Sequence, residues 1–113
     1  MGSWLLLLLA IAVELFGTSC LKASRGFTRL QPTIGVFAGY LLSFYLLSIV
    51  VKTLPVGIVY AIWSGLGTVG MALIGKHFFG DPMPPISWIG VALVVAGVAV
   101  LSLSAPGAHG SGP

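Results

Sequence analysis

The chain has 113 residues, 58% of them hydrophobic and 6% charged, with a formal net charge of +3. A soluble domain carries about a quarter charged residues and could not keep this much apolar surface out of water, so the composition excludes an ordinary globular protein. The Lys and Arg residues fall between apolar segments, with no basic run interleaved with aromatics, which excludes a nucleic-acid partner.

Four apolar stretches follow one another, at about 4–21, 33–51, 56–75 and 86–103. At about 1.5 Å rise per residue, each matches a hydrocarbon core of roughly 30 Å. Backbone polar groups in lipid must be satisfied within the segment, so the predicted fold is all-α, a single four-helix transmembrane domain over residues 1–104. Short loops make successive helices antiparallel, with both termini on one side. The Gly/Pro/Ser-rich tail, 105–113, reads as disordered. Lys22, Arg25, Arg29 and Lys76 lie at the end formed by loops one and three, against Lys52 at the other end. That bias favours loops one and three in the cytoplasm.

The first helix carries the most informative residue. Glu14 stands in the middle of an apolar run, where a carboxylate costs several kcal/mol and persists only with a task or a partner. Its helical neighbours include Ala10, Gly17 and Thr18, small residues that let another backbone or a bulky ligand come close. No Lys or Arg sits at membrane depth, so the acid has no evident internal counter-ion. Desolvation disfavours its charged form, which suits a group that exchanges protons. The same face could instead be plain helix packing, with Glu14 hydrogen-bonded inside it. Cys20, the single cysteine, excludes an internal disulfide and reads as apolar filler. A lipoprotein cleavage before it is not expected, because Glu14 interrupts the apolar run.

Helix two offers Tyr40 and Phe44 as an i,i+4 pair, which spacing alone reads equally as site lining or as lipid-facing filler. On helix three, Tyr60, Trp63, Ser64 and Gly67 share one face. The aromatic faces would hold a lipophilic cation, and they lie deep for an interfacial belt. Gly65 and Gly67 are a candidate hinge, or a close-packing surface. Gly90 and Gly97 on helix four form a small-residue stripe suited to dimerisation. No phosphate-binding Gly-Lys-Ser/Thr loop and no Ser/His/Asp set is present, and His77 and His109 have no ligand cluster. Neither an enzyme, a cofactor nor a metal site is expected. Four helices alone enclose too little space for a substrate and a path to each side, so a dimer is implied.

The residues resemble the small multidrug resistance family along nearly the whole chain, from Trp4 to Leu103. The resemblance is carried by Glu14 with Gly17 and Thr18, by Lys22, and by Gly26-Phe27-Thr28-Arg29-Leu30 with Pro32. Tyr40 and the block Pro55, Gly57, Tyr60, Ala61, Trp63, Ser64, Gly65, Gly67 extend it, and Gly90 and Gly97 fit the helix-four stripe. Gly17, three residues after Glu14, together with Tyr40 and Ser64 is similar to the quaternary-ammonium, multidrug branch. The resemblance implies a multi-pass protein of the inner (plasma) membrane. It implies an antiparallel, dual-topology homodimer that exchanges protons for lipophilic or aromatic cations, both competing for Glu14. It further implies that Tyr60, Trp63, Tyr40, Ser64, Ala10, Gly17, Thr18 and Phe44 line the site, powered by the proton gradient. The Lys/Arg bias departs from dual topology and keeps open a pair of homologous subunits. Export of guanidinium or another small metabolite, lipid flipping, and an accessory membrane subunit are the competing functions.

Overall fold

The computed structural model describes residues 2–104, so the expectation for the tail lies outside the described residues. Four helices fill them: α1 (Gly2–Ala23), α2 (Leu30–Val50), α3 (Val56–Phe78) and α4 (Pro85–Ser104). All four are long and apolar enough to cross a membrane. Prolines set two of the starts. Pro55 precedes α3 in an extended conformation, and Pro85 is the first residue of α4, where its missing N–H costs nothing. At the far end of α3, Gly80 takes φ +71, and the Gly75 carbonyl accepts from both Phe79 N–H and Asp81 N–H. A positive φ at this point suits glycine and ends the helix sharply.

The α1–α2 turn is organised by Ser24, which is fully buried. Its hydroxyl donates to Leu21 O at 2.8 Å and accepts from Phe27 N–H at 3.1 Å. Around it Arg25, Gly26 and Phe27 all adopt positive φ. The Phe27 ring stacks on Phe37, with centroids 6.2 Å apart.

Helix α1 is the hub, packing on both α2 and α3, while α4 packs on α3. The core lies toward the loop-two end, where Leu7 and Ile11 of α1 meet Val50, Leu54, Val59 and Ile62. The α1–α2 contact is close because it is built on glycine. A Cβ on Gly39 would lie 2.9 Å from Gly17 Cα, and one on Gly35 would lie 2.5 Å from Cys20 Sγ. Buried Ser43 adds a cross-helix bond, donating to Ala10 O at 2.8 Å. Helix α4 meets α3 at Gly65, where Val94 and Val98 fill the space a side chain would take. No α4 residue is buried, so most of its surface is open in a single chain.

Polar contacts tie the bundle ends. Ser3 and Thr53 hydrogen-bond between α1 and loop two. At the opposite end Lys22 Nζ pairs with Asp81 at 3.6 Å and sits 5.8 Å from the Phe79 ring centroid, which brings loops one and three together. Lys22 and Asp81 are both about half exposed. Exposed pairs contribute about 0–1 kcal/mol. Lys22→Met should therefore move the thermal unfolding midpoint in micelles by only a few degrees. A collapse of the fold would contradict that estimate.

Candidate functional site

Glu14 lies just past the middle of α1, opposite Gly67 of α3. A Cβ at Gly67 would approach Glu14 Oε2 to 3.1 Å, so the glycine leaves room for the carboxylate. The other oxygen, Oε1, accepts from the Thr18 hydroxyl at 2.6 Å, one helical turn on. Thr18 Oγ1 is also 2.7 Å from the Tyr40 hydroxyl. A hydroxyl has one hydrogen. Once Thr18 gives its own to Glu14, Tyr40 must be the donor to Thr18. The result is a directed chain from Tyr40 through Thr18 to Glu14, joining α2 to the acid of α1.

Glu14 borders a cavity of about 400 Å³, lined also by Trp63, Ser64, Gly67, Thr68 and Met71. Volumes from about 300 Å³ upward accommodate small molecules. Among the described residues the ion pair is Lys22–Asp81, so Glu14 faces the cavity without a cation. Aromatic rings continue the wall. Phe44 lies 5.9 Å and Tyr60 6.0 Å from Trp63, and Tyr40 lies 6.5 Å from Phe44. Phe44, Tyr60 and Trp63 also border a second, apolar cavity of about 230 Å³ near loop two. Trp63 thus belongs to both. Its Nε1 is buried with no hydrogen-bond partner among the described residues.

The candidates from the sequence divide into three groups. Glu14, Trp63, Ser64 and Gly67 meet around the larger cavity, and Tyr60 and Phe44 flank it through Trp63. Thr18 and Tyr40 reach it through the hydroxyl chain. Ala10 and Gly17 are instead buried in the α1–α2 contact, Ala10 under Ser43 and Gly17 under the Tyr40 ring. Of the proposed hinge, Gly65 packs on α4 and Gly67 faces Glu14, and α3 is helical through both. Gly90 and Gly97 have nothing within 4 Å of a notional Cβ and lie on the open side of α4.

Sequence reasoning passed over Thr68 and Met71. Both carried a usable signal, since Thr68 is four residues beyond Ser64 and Met71 four beyond Gly67, on the same helical stripe. The arrangement is suited to holding one positive charge, either a proton on Glu14 or an organic cation beside it among aromatic faces.

The family model described as Small Multidrug Resistance protein matches residues 2–94. The quaternary ammonium compound-resistance protein QacF of Klebsiella aerogenes is 50% identical over 103 residues, 91% of this chain and 94% of that protein. A multidrug transporter of Pseudomonas aeruginosa is 45% identical over the same shares. NepA of Paenarthrobacter nicotinovorans, a nicotine metabolites export pump subunit, is 46% identical over 102 residues, 90% of this chain and 88% of its own length. These relatives are resistance and export proteins rather than enzymes. With four membrane-spanning helices and similarity along nearly its whole length, the chain belongs to the small multidrug resistance family.

Proposed function

We propose that the chain exports lipophilic and aromatic cations, quaternary ammonium compounds among them, across the inner (plasma) membrane in exchange for protons. The observation that carries this reading is Glu14: a carboxylate at mid-membrane with no cationic partner among the described residues, opening on a cavity walled by Trp63, Ser64 and Thr68. One site that binds either a proton or a cation couples the two fluxes, because occupation by one excludes the other. The cation binds the ionised acid against the Trp63 ring, and protonation from the opposite side releases it. The proton gradient is the energy source. Resistance to quaternary ammonium compounds in relatives of 46–50% identity supports the substrate class.

The working unit in this reading is an antiparallel homodimer with both Glu14 residues on one central chamber. A single chain leaves its cavity open on one side and the α4 face with Gly90 and Gly97 uncovered. A specific observation favours a second reading, a pair of homologous subunits. NepA is named as a subunit, and the Lys/Arg bias here would orient the chain one way.

The test uses the purified chain alone in liposomes under a proton gradient, following uptake of a quaternary aromatic cation with guanidinium as competitor. Uptake by the single gene product, resistant to guanidinium, is the expected result. No uptake alone, but uptake after co-reconstitution with a homologous partner, would replace the homodimer by the pair. Uptake of guanidinium in preference would replace the substrate class.

A further inference from the structure

We propose that Thr68, acting with Ser64, makes the Glu14 cavity prefer cations that carry at least one N–H over their fully alkylated counterparts. This rests on the export reading above and narrows its substrate class. The polar side chains bordering the cavity are Glu14, Trp63, Ser64 and Thr68, with Trp63 Nε1 itself buried. Both hydroxyls are committed as donors to their own helix. Ser64 Oγ donates to Tyr60 O at 2.7 Å, and Thr68 Oγ1 donates to Ser64 O at 2.7 Å. A hydroxyl has one hydrogen and two lone pairs, so each oxygen presents only acceptor capacity to the cavity. Glu14 adds a second acceptor set, since Thr18 occupies Oε1 and Oε2 lies on the Gly67 side.

The site therefore offers acceptors from Ser64 and Thr68 on adjacent turns of α3 and from Glu14 on α1, while the unengaged donor among the described residues, Trp63 Nε1, is buried. A protonated amine held by its charge beside Glu14 can direct its N–H to the Thr68 oxygen. A quaternary ammonium has no N–H to give, and is held by charge and by the aromatic faces alone. The Trp63 N–H cannot reverse this preference, because neither kind of cation offers it an acceptor at nitrogen. Thr68 is the discriminating residue because its side chain is exposed on the cavity side of α3. A threonine bonded back to its own helix is also satisfied with no ligand at all, and that alternative predicts no discrimination.

The experiment compares one matched pair, benzyldimethylammonium and benzyltrimethylammonium. Binding to the purified full chain in lipid nanodiscs is measured by calorimetry at neutral pH, where the tertiary amine is protonated. One hydrogen bond to a charged donor corresponds to about tenfold in affinity. The native chain should bind the tertiary cation about tenfold more tightly than the quaternary one. Thr68→Val and the smaller Thr68→Ala should cut that ratio to about threefold, the remainder resting on Ser64 and Glu14. Thr68→Ser should keep the full ratio. Equal affinities in the native chain, or an undiminished ratio in a valine or alanine variant that still binds the quaternary cation, would overturn the proposal and leave export intact. No binding of either cation by the native chain would overturn the export reading itself.

Discussion

Glu14→Gln should abolish proton-driven cation uptake while leaving the helices folded. Glutamine keeps the shape of the side chain and an oxygen to accept the Thr18 hydrogen bond, which in the native chain is 2.6 Å long. It removes only the charge and the capacity to exchange a proton. Two unit charges about 4 Å apart at an effective dielectric of about 20 attract by about 4 kcal/mol, so cation affinity should fall by about a thousandfold. Coupling should vanish with it, because no group at membrane depth then alternates between a proton and a cation. Calorimetry gives the first quantity and uptake into proteoliposomes under an imposed proton gradient gives the second. Native uptake rates in the variant would remove Glu14 from the mechanism. Glu14→Asp, which keeps the charge but withdraws it by one methylene, should retain coupled uptake at reduced affinity.

Gly39→Ala should be the most damaging small substitution outside the cavity. Its Cβ would lie 2.9 Å from Gly17 Cα, 3.1 Å from Gly17 N and 3.2 Å from Val13 O, all backbone atoms that cannot rotate away. The helices must separate, and separation loosens the Ser43 bond to Ala10 O and the packing of Tyr40 on Gly17. Overpacking costs about 1–3 kcal/mol, with the strained hydrogen bond added to it. The matched change Gly97→Ala meets nothing within 4 Å among the described residues and should leave single-chain stability unchanged or slightly raised. Denaturant titration of both variants in micelles, followed by circular dichroism, measures the difference. Equal stability of the Gly39 variant and the native chain would show that the α1–α2 contact is not as close as this geometry requires. Tyr40 rides on the same contact, so Gly39→Ala should also disturb the hydroxyl chain that reaches Glu14.

The candidate site was partly legible. Glu14 stood out because an acid in lipid is costly wherever it faces, and Trp63, Ser64 and Gly67 followed from their shared helical stripe. Thr68 and Met71 continue that stripe and border the same cavity. They were passed over because an isolated threonine or methionine in an apolar helix carries no penalty that marks it. From spacing Tyr40 read equally as aromatic lining or as lipid-facing filler, whereas its hydroxyl is the group that meets Thr18. Ala10 and Gly17 read as neighbours of the acid, and they are, but on the side that α2 covers. Lys22 read as a charge at the loop-one end, and only the docking of loops one and three pairs it with Asp81.

What the sequence determined by itself is the number of helices, their alternating direction, their location in a membrane and the singularity of Glu14. Each of these rests on a large free-energy term local to the chain: apolar segments of bilayer length, prolines and charges that must leave the hydrocarbon, and an acid that resists entering it. The tertiary structure alone decided which helix faces meet. In a soluble helix the apolar face marks the interior. Here lipid and protein interior are equally apolar, and hydrophobicity cannot tell one from the other. Shape settles the matter instead. Gly17, Gly35 and Gly39 draw α1 and α2 together, Gly65 seats α4, and Gly67 opens the space that Glu14 faces.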